Sequence, residues 1–337
     1  MVPAIMRDEA VARLATRKSP LALKQAEEVA ALLQAATPGI EIELVTVDTQ
    51  GDIRTDLPLS ALGGQGVFAK EVQVALLQGR ADFAVHSAKD LPAVTPERTC
   101  IAAVPLRADP RDALVGSQLE DLPPGGLVAT GSVRRRAQLA WLRPDLCFAD
   151  LRGSIGTRLA KAAHFDAVVI AFAALVRLGL ENCADEVLAP SMMLPQVGQG
   201  ALAIECRSDD AAARVLAGGI DHMPSRVSVE AERAFLREIG GTCDLPVAGN
   251  ATMDIAKESG NPAGSKDGRS GMSLALEGLV ASPDGRIMLR KAAAVEQPIP
   301  ASVDAWVLLA RTLGEELARS LIDENGGNAL LGTADAG

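Results

Sequence analysis

Short apolar runs alternate with longer stretches of helical periodicity over the first two thirds of the chain. Val11 to Thr16 reads as a strand, and Ser19-Pro20 behind it offers a capping hydroxyl and a proline suited to a first helical turn. That helix runs to about Ala36, where Thr37-Pro38-Gly39 stops it, and Ile40 to Val47 begins as alternating Ile40, Ile42 and Leu44, a second strand. Thr49 to Phe68 is rich in Gly, Asp, Pro and Thr and has little periodicity, which predicts a mobile lid. A helix from Ala69 to Gln78, a strand from Asp82 to His86 and an apolar run near Ile101 to Pro105 complete a first α/β unit, and Pro110 opens the next.

The second unit repeats the order: strand Leu127 to Ala129, helix from Ser132, strand Cys147 to Leu151, helix from Ile155, strand Asp166 to Phe172. Strands alternating with helices imply mainly parallel sheets. Beyond Gly198-Gln199-Gly200, a strand Ala201 to Cys206 and a helix Asp209 to Ala217 return to the first unit. The last third differs, with a helix Arg226 to Ile239, a hairpin of Leu274 to Ala281 and Arg286 to Val295 around Pro283-Asp284-Gly285, and a helix Val303 to Ile322. Asp254 to Gly271 has almost no apolar content and is expected to be a disordered surface loop. The expected domains are residues 1–105 with 200–219, residues 106–199, and a smaller α+β domain over residues 220–337.

Composition narrows the function. With 337 residues, 48% apolar and 23% charged, the chain is ordinary for a folded multidomain protein. Its longest strongly apolar run, Ala167 to Val176, is about half of what a membrane span needs. Met1 to Ala10 carries Asp8 and Glu9 and no continuous apolar segment, so no secretory signal is read and the cytoplasm is expected. The five cysteines form no C-x-x-C pair, which argues against a zinc knuckle or a disulfide framework, and no other metal cluster is legible. A net charge of −10 with no Tyr, 6 Phe and 2 Trp disfavours nucleic acid and points to a small partner. Within this acidic chain, Leu127 to Leu180 holds eight basic and three acidic residues, a basic island fit to focus a polyanion.

The basic residues fall at strand-to-helix junctions. Thr130-Gly131-Ser132-Val133-Arg134-Arg135 combines a glycine turn, a capping hydroxyl and two guanidinium groups at a helix start, where free N–H groups already favour anions. Leu151-Arg152-Gly153-Ser154-Ile155-Gly156-Thr157-Arg158 repeats the arrangement. Two such cradles fit a ligand with several carboxylates or phosphates. His86-Ser87-Ala88-Lys89-Asp90-Leu91-Pro92 places Lys89 and Asp90 at the carboxyl end of a strand, where α/β sheets bind ligands. Asp90 suits a general acid, base or cation stabiliser, and Lys89 a carboxylate clamp or nucleophile; an exposed Lys-Asp turn is the bland alternative. His86 reads as a packed, hydrogen-bonded histidine. Cys243 sits in the loop Gly240-Gly241-Thr242-Cys243-Asp244-Leu245-Pro246, whereas Cys147 and Cys206 lie in apolar strand runs.

Taken in order, Ala15-Thr16-Arg17-Lys18-Ser19-Pro20-Leu21-Ala22, Gly63-Gly64-Gln65-Gly66-Val67-Phe68, Ala84 to Asp90, Gly131 to Arg135, Leu151-Arg152-Gly153, Gly198-Gln199-Gly200 and Gly241-Thr242-Cys243 resemble the porphobilinogen deaminases, or hydroxymethylbilane synthases. The resemblance implies two α/β domains like those of periplasmic binding proteins plus the C-terminal α+β domain. It implies a cytoplasmic transferase, expected to be a monomer, that joins four porphobilinogen molecules head to tail, releases ammonia each time and frees hydroxymethylbilane by hydrolysis. Its cofactor is a dipyrromethane primer, by resemblance thioether-linked to Cys243. Lys89, Ser132, Arg134, Arg135 and Arg158 resemble ligands of the cofactor's carboxylates, and Arg17, Ser19, Arg152, Arg177 and Gln199 contacts to incoming substrate or chain. Asp90 resembles the catalytic carboxylate, stabilising the azafulvenium cation formed as ammonia departs. The sequence departs from the family pattern at Gln50, Gln65, Gly131 and Thr242. A noncatalytic polyanion-binding domain of the same fold is the alternative, one that leaves Cys243 without a task.

Overall fold

The computed structural model describes residues 11–49, 66, 69–240, 245–255, 271–298, 302–324 and 326–331. Its first sheet begins with β1 (Val11–Arg17), and α1 (Pro20–Ala36) starts at Ser19, whose side chain accepts from Ala22 N at 3.3 Å. β2 (Glu41–Val47), α2 (Lys70–Leu77), β3 (Phe83–Ser87) and β4 (Thr99–Ala103) follow. The second sheet is built from β5 (Asp112–Val115), β6 (Leu127–Ala129), α3 (Val133–Leu142), β7 (Cys147–Ala149), α4 (Ile155–Lys161), β8 (Ala167–Ala171), α5 (Phe172–Arg177) and β9 (Glu186–Val187). β10 (Leu202–Arg207) then pairs with β3 and β4 of the first sheet, and α6 (Ala211–Gly218) leads away from it.

The two sheets share one plan, β2-β1-β3-β10-β4 and β7-β6-β8-β5-β9. In each, the first three strands are parallel, the fourth runs antiparallel to both its neighbours, and the edge strand beyond it takes the direction of the first three again. β5 and β8 are buried along their whole length, as expected of strands covered on both faces. The chain crosses between the sheets twice, and the crossings touch where Ala108 N donates to Gly200 O at 3.2 Å. Arg107 pins them: it pairs with the buried Glu232 at 2.5 Å and donates to Gln199 O at 2.9 Å.

Glu232 belongs to α7 (Met223–Glu238), a largely buried helix that packs with β11 (Val247–Ile255), β12 (Gly271–Ala281), β13 (Met288–Pro298) and α8 (Val303–Arg319) around Phe235, Leu276, Trp306 and Leu317. α7 starts three residues earlier than its periodicity suggests, because His222 caps it and Pro224 fits its first turn. The three strands form an antiparallel sheet, and Gly285 at the β12–β13 turn abuts the backbone of α3.

Several expectations are corrected. β11 and β12 extend through Asp254, Ile255 and Gly271, since cross-strand pairing continues past the apolar stretch; the rest of the expected surface loop, 256–270, lies outside the described residues. The second hairpin strand begins at Met288, since Ser282 and Ile287 close the turn first. The helix expected to reach Ile322 stops at Arg319 and widens into a single π turn, Ser320–Glu324, after which a short helix, Gly327–Leu331, follows. β7 ends at Ala149, whose carbonyl makes the last ladder bond, accepting from Thr130 N. Cys147, at its start, is exposed rather than core, whereas Cys206 is buried. Of the expected lid, Thr49 is fully buried, and 50–65, 67 and 68 lie outside the described residues. Among the described residues no helix is long and apolar enough to cross a membrane.

Candidate active site

Lys89 and Asp90 follow β3 directly, in a single 3-10 turn, Ala88–Asp90, that Leu91 closes by donating to Ala88 O. The strand end is fixed from behind. His86 is buried with Nε2 3.1 Å from Glu205 Oε2, and that carboxylate also accepts from Gln73 at 3.0 Å and from Thr99. Burial pushes the Glu205 carboxyl up, but His86, Thr99 and Gln73 hold it below its ordinary value. His86 is thus a packed histidine. From in front, Gly198 at φ +72° lies so close that a Cβ there would come within 2.9 Å of Ala88 C and Lys89 N. Only glycine lets the Gly198-Gln199-Gly200 crossing pass this turn.

The cations converge on a residue the sequence reading did not single out. Asp112, on β5, is wholly buried and accepts from Arg134 at 2.8 Å, Arg135 at 2.7 and 3.0 Å and Gln199 at 2.9 Å. Burial alone would raise its pKa; Arg134 and Arg135 overcome this and hold the carboxyl far below the usual range. The remaining donors go to backbone, Arg134 to Leu194 O at 2.7 Å and Arg135 to Val169 O at 2.9 Å. Both guanidiniums are buried against the sheet, on the inner face of the helix that Ser132 caps. Gln199, fully buried, links Asp112 to Lys89, whose Nζ donates to Gln199 Oε1 at 3.3 Å. An Asp opening a wholly apolar stretch, Asp112-Ala113-Leu114-Val115, was the available signal.

Around this hub the charge is one-sided. Burial, with Arg135 next to it, holds the Lys89 ammonium down at about 8. Arg158, partly buried on α4 and donating to Gly153 O at 2.9 Å, is held at about 10 by burial, then by Arg135 and Arg152. Arg17, at the carboxyl end of β1, reaches Asp90 Oδ2 at 3.8 Å. Lys89, Arg134, Arg135 and Arg158 thus gather around two carboxylates, Asp90 and Asp112, with Arg17 beside Asp90 and Arg152 acting on Arg158. Arg177 is placed differently: it pairs with Glu28 of α1 at 2.9 Å and donates to Gly200 O at 3.1 Å, bracing the crossing. Ser19 caps α1, and the exposed Gly131 sits where a Cβ would lie 3.0 Å from Leu151 O. Cys243, with Thr242, Gln50 and Gln65, lies outside the described residues.

Among solved structures, the chain is similar to YhfZ from Shigella flexneri, with 19% identity, coverage of 66% of this chain and 93% of that one, and a TM-score of 0.35. It is similar also to the methionine binding protein MetQ, with 11% identity, 62% and 88% coverage and a TM-score of 0.36. The regulatory domain of MexT, a transcriptional activator in Pseudomonas aeruginosa, has 14% identity, 63% and 98% coverage and a TM-score of 0.38. These likenesses are too distant to bear on function. Two family models match closely placed stretches: "Porphobilinogen deaminase, dipyromethane cofactor binding domain" over residues 12–215, and "Porphobilinogen deaminase, C-terminal domain" over residues 227–322. The first takes in both sheets with the whole cation cluster, and the second the helices and sheet behind them, so the chain belongs to the porphobilinogen deaminase family.

Proposed function

We propose that this chain condenses four porphobilinogen molecules head to tail, with loss of ammonia at each step, and releases hydroxymethylbilane by hydrolysis, in tetrapyrrole biosynthesis. The observation that carries the reading is the gathering of buried and half-buried cations around Asp90 and Asp112. Porphobilinogen bears an acetate and a propionate, so substrate and chain bring carboxylates at every step. Both family matches are to domains of a transferase, which leaves the noncatalytic alternative without support.

The residues present fit a dipyrromethane. Lys89 and Arg158 are depressed by burial and by other cations, a condition that bound carboxylates relieve. When bound, the dipyrromethane supplies the pyrrole carbon to which the first substrate ring is joined. In this proposal Lys89, Ser132, Arg134, Arg135 and Arg158 hold the cofactor's carboxylates. Arg17, Ser19, Arg152 and Gln199 meet incoming substrate, and Arg177 braces the cleft that receives it. Asp90 faces the substrate's ring nitrogen, stabilises the positive charge that develops as ammonia leaves and assists proton transfer. Cys243 anchors the primer as a thioether, so that the growing chain is retained between steps. Intact-mass spectrometry of the active protein is expected to exceed the polypeptide mass by a dipyrromethane, and Cys243→Ser to remove that increment. An active preparation at the bare polypeptide mass overturns the assignment.

The depressed Lys89 makes carboxylate binding proton-linked. The free site loses the Lys89 proton as pH rises through about 8, and a bound carboxylate restores its affinity for that proton. Affinity for porphobilinogen should therefore fall as pH rises through about 8, with proton uptake on binding near that pH and little at lower pH, where the ammonium is already formed. Calorimetry in buffers of different ionisation enthalpy reads this directly. Binding heats that are independent of buffer at the higher pH would contradict a charged role for Lys89.

A further inference from the structure

A second basic cavity, of about 870 Å³, opens on another part of the molecule and shares no residue with the cluster around Asp90. One wall is a stripe along α7. Arg226, Glu230, Arg233 and Arg237 recur at helical spacing and line it together. Arg311 of α8 closes one side, and β4 with α6 forms the other, through Cys100 and Arg214.

The acids nearby do not balance these cations. Arg311 pairs with Glu230 at 2.9 Å, Arg226 with Asp221 at 3.3 Å and Arg237 with Glu315 at 3.0 Å. Arg233 is different: it is 5% exposed, and its hydrogen-bond acceptors are neutral, Ala93 O at 3.3 Å and Thr95 Oγ1 at 3.2 Å. A guanidinium buried without a carboxylate in contact is costly unless an anion completes its shell. Burial depresses its pKa; Glu230 and Glu205 oppose this, and Arg237 and Arg311 add to it. At the other end, the hydrogen bond with Cys206 Sγ, 3.7 Å away, lowers the pKa of the Cys100 thiol against the opposing effect of burial, and Arg214 and Arg226 lower it further. The cavity thus presents two positive regions, one around Cys100 and one around Arg233, within the volume usual for a small-molecule site.

We propose that this cavity binds a small polyanion carrying at least two carboxylate or phosphate groups, one gripped by Arg214 and Arg226 and the other by Arg233 with Arg237 and Arg311. Its occupancy ties β4 and α6 to α7 and α8. The geometry of the guanidinium fork suits either kind of anionic group, so charge and spacing select the ligand.

Cys100 reports occupancy at the site itself, which separates this cavity from the carboxylate cluster around Asp90. The holoenzyme is alkylated with iodoacetamide at constant ionic strength, with citrate, pyrophosphate or sodium chloride, and each cysteine is followed by peptide mass; the exposed Cys147 and Cys183 serve as internal references. Citrate or pyrophosphate is expected to slow labelling of Cys100 about tenfold relative to chloride while the two references are unchanged. Arg214→Ala with Arg237→Ala, at one exposed and one half-exposed position, should abolish this protection and leave catalytic turnover and melting temperature intact. Protection by citrate alone identifies a polycarboxylate ligand, and by pyrophosphate alone a phosphate ligand. Protection no greater than chloride gives, or unchanged in the double variant, overturns the proposal.

Discussion

Asp90→Asn is expected to remain folded and to bind porphobilinogen, while turnover falls by at least about a hundredfold, the scale of a lost transition-state contact. The side chain keeps its shape, and Leu91, which closes the turn, donates to the Ala88 carbonyl rather than to the aspartate. What disappears is a negative charge fixed at the carboxyl end of β3, in a cluster where cations otherwise prevail. Substrate carboxylates are assigned to the arginines and Lys89, so ground-state binding depends little on Asp90. The charge that develops on the pyrrole as ammonia departs is positive, and only a carboxylate in this cluster opposes it favourably. Removing it also takes a supporting charge from Lys89 and Arg158, so the proton-linked binding near pH 8 should shift to lower pH. The decisive measurement is single-turnover ammonia release by the variant reconstituted with preformed tetrapyrrole primer, which separates failed catalysis from failed cofactor assembly. Near-normal release would reject Asp90 as the catalytic carboxylate.

The elements that set this site were legible because local chemistry and fold agree there. Ser19, Ser132 and Ser154 each precede a helix and each caps it, so the strand-to-helix junctions carrying the basic residues stand where the caps place them. The turn after β3 was equally legible, since an apolar strand ends in Lys89-Asp90 ahead of Pro92. What the arginines do at those junctions was not. A helix start exposes some side chains and buries others, and the sequence alone does not say which face meets the sheet. Arg134 and Arg135 lie inward, onto a carboxylate distant in sequence, while Arg158 stays partly open. Arg177, by resemblance a contact to incoming substrate or chain, is held by Glu28 of α1, a pairing that nothing near it in sequence announces. The stripe on α7 was overlooked for a related reason: its arginines alternate with Glu230, Glu232 and Glu238, which in sequence reads as an ordinary solvated helix. Burial of Arg233 is a property of the packing around the helix, and periodicity does not report it.

Asp112 is expected to be a costly charge to replace. Asp112→Asn should destabilise the fold by roughly 3–5 kcal/mol, the cost of leaving buried charges uncompensated, because Arg134 and Arg135 then meet neutral acceptors alone, the carbonyls of Leu194 and Val169 and one amide oxygen. An amide cannot accept at both positions. One of its two atoms is a donor, and it would face the N–H groups of Arg134, or those of Arg135 and Gln199, all of which donate to the carboxylate now. The pH dependence carries the same signature. The folded carboxyl titrates far below the unfolded one, so its contribution is present in full above the ordinary aspartate range and is lost as pH falls through the folded value. Wild type should therefore lose this stability only in strong acid, and the variant should lack it at every pH. A merely structural role would end there. Asp112 also supports the charge on Lys89, so in folded Asp112→Asn the Lys89 ammonium should titrate below about 8 and the fall in porphobilinogen affinity should begin at lower pH. Urea unfolding measures the first effect, and calorimetric titration across pH the second. An unchanged urea midpoint, or a binding profile that does not move, would mean that the arginines find their balance elsewhere.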